Sequence, residues 1–593
     1  MAPIRLDALS MSTDNTSSNV NSARCPEITI SEYIFERLYQ MGVKSVFGVP
    51  GDFNLSLLEH IYDVKSIKWI GTCNELNAAY AADAYAKTSR QMGAVLTTFG
   101  VGELSALNGI AGAYSEFVPV VHIVGTSPLP EKRSNLVKNF HHLITNRKMY
   151  QKPDHYVYEK LAQTFSVASA SIEDGDIAKT CDSVDNVLES VWRESRPGYI
   201  FLPCDLTEMK VPFSRLNDKP LKKSYDSGNE QLVDSVVSEI LERIYSKQNV
   251  SILADAFISK FRMEKPFEKL VKLLNDKVNL FDTYMAKGIF SEDTDRFVGT
   301  YAGKVGSKQV SEAIEASDLV LYVGSFANEM NCGFFSYKLD ESKIIDLNPQ
   351  YIRIGKKMYT GVTFMDVLPK LIEKLDASRI NSSVRYKSIE KQSLQKVQSN
   401  IEAPLTEADL GRSLENLLQP DDILIVETCS FMTGAFQLNM NDARMVSQCY
   451  WGSIGYALPA TLGACLALRD FQMPGKVITV EGDGSAQMSL QELTSMIRYE
   501  VDAIMIMLNN SGYTIERAIK GPYSGYNDIC GNWQWTKMLK VFGDINEEKS
   551  RSLQITSSKQ LSNLVNAGLH DEGRFQLIEL ILPKFDIPWH YGK

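Results

Sequence analysis

An aspartate framed by glycines, Gly482-Asp483-Gly484, closes an apolar run, and after 24 intervening residues the chain reads Asn509-Asn510-Ser511-Gly512. Residues 476–480 read as a buried strand, the glycines permit a tight turn against an anion, and residues 485–496 carry the apolar spacing of a helix. A second apolar run, 503–508, predicts the strand that delivers Asn509 and Asn510. A carboxylate at the end of one strand and an amide at the end of the next offer hard oxygen ligands, which suit Mg²⁺ holding a diphosphate. Gly-Asp-Gly alone is more often an ordinary turn with surface side chains. The spaced asparagines make the metal-diphosphate reading specific.

A second constellation lies near the N-terminus. Residues 47–54, Phe-Gly-Val-Pro-Gly-Asp-Phe-Asn, read as a strand running into a Gly/Pro turn. Asp52 is then near a C-terminal strand edge, where open α/β sheets keep their sites, although it could equally cap a helix. Glu75 falls in the first turn of an alanine-rich helix and is either a partner of the helix dipole or a functional carboxyl. His141 and His142 are adjacent; on a helix their side chains would diverge by about 100°, so a joint role requires a loop. Neighbouring histidines are more often incidental surface or core residues. Glu516 follows Asn510 by six positions, and Ile515 and Ile519 share a helical face beside it, for core packing or for a site.

These residues must be positioned by a large α/β chain. Its 593 residues predict about three or four domains, and 44% apolar and 23% charged residues are ordinary for a globular protein. A net charge of -10 and a pI near 5.5 argue against nucleic acid or an anionic membrane as partner. Nine dispersed cysteines without C-x-x-C spacing indicate neither a disulfide framework nor a zinc site, and so a reducing compartment. The expected organisation is a flexible tail over 1–26, an α/β domain over 27–215, a linker to 230, a middle α/β domain over 231–377, a linker over 378–403 and a third α/β domain over 404–593. Strand-like runs at 45–49, 93–98, 120–125, 199–203, 251–254, 319–324 and 343–347 predict three open parallel sheets, and the first and last domains are candidates for a shared topology. No apolar segment of membrane-spanning length or signal peptide is evident, and the expected location is the cytosol.

Taken together, Gly48-Val-Pro-Gly-Asp-Phe-Asn-Leu-Ser-Leu-Leu58, Cys73-Asn-Glu-Leu-Asn-Ala-Ala-Tyr-Ala-Ala-Asp83, Thr98-Phe-Gly-Val-Gly-Glu-Leu-Ser-Ala-Leu-Asn-Gly109, His141-His142, Gly482-Asp-Gly484 and Asn510-Ser-Gly-Tyr-Thr-Ile-Glu516 resemble the thiamine-diphosphate-dependent 2-oxo acid decarboxylases over about residues 27–590. Segments 516–522 and 524–529 are most similar to the fungal phenylpyruvate decarboxylases, broad-substrate relatives of pyruvate decarboxylase. The resemblance implies a pyrimidine-binding first domain, a diphosphate-binding last domain, and catalysis at a subunit interface in a dimer or dimer of dimers. It implies that Asp483, Asn510 and the Gly512 carbonyl hold Mg²⁺, and that Thr428, Gly482, Gly484, Ser485, Tyr513 and Ile515 line the cofactor with them. Glu75 would activate the aminopyrimidine, a role that needs shielding from water, while Asp52, His141, His142 and Glu516 would manage proton transfers on the substrate.

Departures from the family pattern are visible. Cys429 stands where a glycine carbonyl usually meets the cofactor, and a cysteine serves there only at an allowed φ. Ala84 replaces a frequent glycine. Phe257 occupies the place of the cysteine used in thiol-linked substrate activation, so that form of activation is expected to be absent. The bulky residue that bends the cofactor should fall near 432–436, with Ala435 in one register. The implied activity is decarboxylation of phenylpyruvate, indolepyruvate, branched 2-oxo acids or pyruvate to aldehydes in amino-acid catabolism. The alternatives are a cofactor-binding regulatory protein and a carboligase.

Overall fold

A computed structural model of the chain describes residues 26–586 apart from 275, 387–403, 530 and 532. Most of the expected tail and of the second linker therefore lies outside the described residues. Two six-stranded, wholly parallel sheets carry the motifs. In spatial order the first contains Lys68–Gly71, Ser45–Gly48, Gly93–Thr98, Val120–Thr126, Gly198–Pro203 and Ala168–Ser171. The other contains Arg444–Ser447, Ile423–Val426, Val477–Gly482, Ala503–Asn509, Phe575–Ile581 and Ser550–Ile555. Numbered within each domain, both run 2-1-3-4-6-5, so the first and last domains share a topology. Their inner strands are buried on both faces, which is why they read as continuous apolar runs rather than alternating ones.

The order 2-1-3 creates a switch point between strands 1 and 3 in each sheet, and chains leaving such a point splay apart into a crevice. In the first sheet, strand 1 leads to Asp52 and strand 3 to the turn at residues 99–100, before the helix Val101–Ser115. In the last, strand 1 leads to Thr428, strand 3 to Asp483 and strand 4 to Asn510.

Two expectations need correction. The middle sheet is mixed: Phe297–Thr300, Asn279–Asp282, Val250–Ala254, Leu319–Val323 and Ile344–Leu347 are parallel, but Tyr351–Ile354 and Lys357–Thr360 are antiparallel additions. Residues 348–350 and 355–356, which join them, are too short for a parallel crossover, and Gly355 turns at φ +59°. The helix expected over 485–496 is broken into Asp483–Ala486, a 3₁₀ turn at Leu490–Glu492 and Leu493–Arg498. Ser489 leaves helical geometry at φ −139°, and the bend carries Glu492 to the first domain, where it accepts from the Cys73 N–H at 3.2 Å and the Asn77 amide at 2.8 Å.

The two site-bearing domains dock through Glu75–Ser89 and Ala457–Phe471, helices rich in alanine, the second with a glycine at position 463. A Cβ on Gly463 would stand 2.0 Å from the Ala81 carbonyl oxygen, so only glycine allows this approach. Around the contact Tyr456 donates to Asp83 at 2.7 Å, and Asp470 accepts from Ser45 at 2.7 Å and Tyr85 at 2.9 Å. The cysteines at 73, 181, 204, 332, 429, 449 and 465 are free thiols, and among the described residues no helix is long and apolar enough to cross a membrane. Gly463→Val should destabilise the chain by about 1–3 kcal/mol, the usual cost of overpacking. An unchanged denaturation midpoint in urea, with an unchanged slope, would contradict this reading of the crossing.

Candidate active site

Gly482 ends its strand in extended geometry (φ −99°), and Asp483 opens a single helical turn. The Asp483 side chain is 1% exposed, and its two carboxylate oxygens accept from the Gly512 N–H at 3.3 and 3.2 Å. Burial, only partly offset by these backbone donors, pushes its pKa up to about 7. Asn510 is also buried, and its Oδ1 has no hydrogen-bond partner among the described residues. Gly512 sits at φ +137°, and a Cβ there would lie 2.2 Å from the Asn527 carbonyl oxygen, so the loop requires glycine twice over. The Tyr513 ring lies over Gly484, where a Cβ would approach it to 2.7 Å.

A buried carboxylate and an orphaned amide oxygen, brought together by two adjacent parallel strands, form a donor set that fits Mg²⁺. The Thr428 hydroxyl oxygen is likewise buried and unpartnered. Cys429 beside it is not among the residues at positive φ, so cysteine is accommodated there without strain.

Three buried side chains that the sequence reading missed hold this loop system in place. The Arg517 guanidinium donates to the carbonyls of Asn510 (3.1 Å), Ser511 (2.6 Å), Asn527 (3.1 Å) and Lys584 (3.2 Å) and to the Asp528 carboxylate (2.8 Å). It thereby fixes the Asn510–Gly512 backbone to two other segments. Glu427 directly follows the strand Ile423–Val426, Glu481 is the penultimate residue of the neighbouring Val477–Gly482, and the two are fully buried against each other. Glu427 accepts from the Thr428 and Ala457 N–H groups at 2.7 and 2.8 Å, and Glu481 from the Gly482 N–H at 3.0 Å and the Ser485 hydroxyl. Burial pushes both carboxyls up, Glu427 to about 7, and the neighbouring Glu427 charge raises Glu481 further, while the hydrogen bond with Glu481 moderates the rise at Glu427. Acidic residues flanking apolar strands, and an arginine one position past Glu516, were the available signals.

In the first domain, Glu75 is the first residue of its helix, and Asn74 caps it by accepting from the Asn77 N–H at 2.8 Å. Gly102 leaves the space that Glu75 uses, since a Cβ there would stand 2.9 Å from Glu75 Oε1. The Glu75 side chain is half-buried within the single chain. His141 and His142 lie on a loop, and the positive φ of His142 (+69°) turns both rings toward one place. His141 Nε2 is 2.6 Å from Asp52 Oδ2, the two imidazoles are 4.6 Å apart, and the ligating atoms of Asp52, His141 and His142 all fall within 4.8 Å of one another. Phe53 packs against both rings at 5.0 and 6.0 Å. A Cβ on Gly100 would meet the His142 carbonyl oxygen at 2.2 Å, so the start of the Val101–Ser115 helix separates Glu75 from the histidines.

The predicted residues thus assemble as two groups. Asp52, Glu75, His141 and His142 share one end of the first sheet; Thr428, Gly482, Asp483, Gly484, Ser485, Asn510, Gly512 and Tyr513 share the corresponding end of the last. Ile515 (half-buried) and Glu516 (exposed) follow on the helix Thr514–Ile519. Among the described residues, no hydrogen bond or ion pair joins the first group to the second. The segment 432–436 does not enter this cleft: Met432, Ala435 and Phe436 belong to the core, with Phe436 stacked on Tyr284 at 4.2 Å.

Family models for thiamine pyrophosphate enzymes match in all three domains: the N-terminal TPP-binding domain over residues 28–154, the central domain over 237–375 and the C-terminal TPP-binding domain over 428–580. The chain is 35% identical to a Saccharomyces cerevisiae protein named transaminated amino acid decarboxylase, across 99% of this chain and 97% of that one. It is 36% identical to S. cerevisiae pyruvate decarboxylase isozyme 1 (95% and 97% covered) and 37% identical to Kluyveromyces marxianus pyruvate decarboxylase (95% and 96%). The chain belongs to the thiamine pyrophosphate enzymes. Within them it is a 2-oxo acid decarboxylase.

Because one guanidinium ties the metal-loop carbonyls together, Arg517→Met should weaken Mg²⁺-dependent cofactor retention by at least roughly tenfold, the effect of losing a single supporting partner of a metal site. Arg517→Lys should recover part of it. Calorimetric titration of thiamine diphosphate at fixed Mg²⁺ checks both, and wild-type affinity in Arg517→Met would remove the assigned role.

Proposed function

We propose that the protein converts 2-oxo acids derived from amino acids, among them phenylpyruvate, indolepyruvate and branched-chain 2-oxo acids, together with pyruvate, to aldehydes and CO₂ in the cytosol. The observation that carries this reading is the Asp52–His141–His142 cluster at the same sheet end as Glu75, facing proton chemistry that cofactor binding alone does not need. The similarity to a transaminated amino acid decarboxylase over 99% of the chain supports the amino-acid-derived substrates.

Asp483, the Asn510 side chain and the Gly512 carbonyl would hold Mg²⁺ at the diphosphate end of the cofactor. Bound thiamine diphosphate supplies the nucleophilic carbon and the electron sink for loss of CO₂. Glu75 shares a proton with N1′ of the aminopyrimidine. Asp52 accepts the Nε2 proton of His141 and so sets its tautomer, leaving Nδ1 to take or give a proton. His142, whose own Nδ1 is unpartnered, and Glu516 complete the set that moves protons at the former carbonyl. Ile454 is half-buried between Gly452 (φ +66°) and Gly455 (φ +85°), and a Cβ on Gly455 would lie 3.2 Å from the Ser485 carbonyl oxygen, so this turn abuts the diphosphate loop. Ile454 is the aliphatic residue we assign to supporting the bent cofactor.

Two chains complete the site. Glu75 needs more shielding than one chain gives it, and exposed apolar side chains flank both groups: Val101, Leu136 and Ile144 on the first domain, Ile519 and Tyr523 on the last. A dimer, paired again into a tetramer, covers them. The aromatic stack of Phe257 on Phe326 (4.9 Å) and edge-on Phe117 (4.6 Å) fills the place of an activating thiol and supports the absence of thiol-linked activation.

Glu75→Gln should retain cofactor binding while slowing deuterium exchange at C2 by about 10²–10⁴-fold, the usual worth of a positioned general acid–base. Normal exchange would reject the assignment. With a panel of 2-oxo acids coupled to an alcohol dehydrogenase, kcat/KM for phenylpyruvate should exceed that for pyruvate. Ala518 leaves volume between Ile515 and Ile519, and burial of a phenyl ring contributes about 25 cal/mol per Å². Ile515→Trp should narrow the preference by filling that space; a wild-type preference for pyruvate would overturn the substrate assignment.

A further inference from the structure

Away from the site, the three domains meet around a cavity of 60 Å³, partly open to solvent, with room for about four waters or one tetrahedral oxyanion. Six cations line it: Lys87 and Arg90 from the first domain, Lys260, Arg262 and Lys287 from the middle one and Arg444 from the last. Glu116 is the one carboxylate in the lining. Three cations are matched by carboxylates behind the wall: Lys87 with Asp83 (2.8 Å), Arg90 with Glu264 (2.7 Å) and Lys287 with Glu292 (2.8 Å).

Of the other three only Lys260 has a carboxylate within ion-pair distance, and that long contact to Glu116 is shared with Lys87. The Lys260 side chain is 12% exposed, its ammonium is 3.6 Å from Glu116 Oε2, and it makes no hydrogen bond among the described residues. Glu116 is itself engaged, since its Oε1 accepts from the Tyr450 and Trp451 N–H groups at 2.7 and 3.1 Å. Arg262 donates to neutral partners only, the carbonyls of Arg90 and Trp192 and the Tyr225 hydroxyl, with its guanidinium 3.6 Å over the Trp192 ring. Among the described residues Arg444 makes one hydrogen bond, to the Thr88 carbonyl at 3.0 Å, and faces Glu264 and Asp421 without an ion pair to either. Burial and the neighbouring cations push Lys260 down to about 8 and Arg444 to about 10, in keeping with cations held away from water.

Desolvated cations with unused donors around one cavity are costly unless an anion joins them. We propose that this three-domain junction is a binding site for a compact dianion of the phosphate class, held by Lys260, Arg262 and Arg444. The cavity is too small for a nucleotide. Each domain contributes cations, so occupancy fastens the three bodies together, and it does so one residue from the Trp451–Gly455 segment that abuts the diphosphate loop.

The test uses holoenzyme saturated with thiamine diphosphate and Mg²⁺, so that the cofactor site is filled. Equilibrium dialysis with radiolabelled inorganic phosphate, at ionic strength held constant with chloride, should give one saturable site per chain that excess 2-oxo acid does not displace, and phosphate should raise the melting temperature. Arg444→Gln should weaken this binding at least tenfold, Arg444→Lys should weaken it less, and Lys308→Gln, on an exposed helix, should leave it unchanged. If Arg444→Gln does not fold, the wild-type dialysis still decides. No saturable phosphate, phosphate displaced by 2-oxo acid, or equal binding in Arg444→Gln would each overturn the proposal.

Discussion

The close crossing of Glu75–Ser89 over Ala457–Phe471 is the constraint on which the rest depends. One helix presents alanines and the other alanines with Gly463 at the contact, so backbone approaches backbone, and polar side chains around the rim fix the angle: Tyr456 on Asp83, and Ser45, Lys68 and Tyr85 on Asp470. This contact sets where the Glu75 helix begins and where the Gly452–Gly455 turn ends. It also explains why the helix after Asp483 breaks: the chain gives up helical hydrogen bonds at Ser489 to place Glu492 in the same interface.

The diphosphate end is built at an electrostatic cost. Asp483, Glu427 and Glu481 are buried within a few residues of one another, with backbone N–H groups as their main compensation. A divalent cation would reverse the balance for Asp483, converting a penalised carboxylate into a paired one. Glu427 and Glu481 meet the same problem with N–H donors and the Ser485 hydroxyl, which tie together the segments around the cofactor's phosphate end. Arg517 does for the Asn510 loop what the two glutamates do for the Gly482 loop, with carbonyl oxygens in place of N–H groups.

Much of this was legible in the sequence. The strands over 93–98 and 503–508 and the Gly-Asp-Gly and Asn-Asn pair were readable because fully buried parallel strands are continuous apolar runs and because metal ligands are named by residue type and spacing. Less visible were features set by tertiary contact. The break after Asp483 is paid for by Glu492, far away in the first domain. The antiparallel strands at 351–360 follow from connection lengths that were not weighed. Segment 432–436 carried the right residue types for cofactor support but faces the core. Arg517 looked like an ordinary helical cation, although its significance lies in carbonyls from four separate positions that only the fold assembles.

The free thiols have a chemical consequence of their own. At all seven described cysteines burial raises the pKa, at Cys181 and Cys332 to about 11, so each is a protonated, weakly nucleophilic sulfur near neutral pH. Peroxides and alkylating agents react with thiolates, and with Phe257 in place of a reactive sulfur the described parts of the chain offer them little purchase. Aldehydes made at the site meet the same inertness: the described residues offer few thiolates for the electrophilic product to trap.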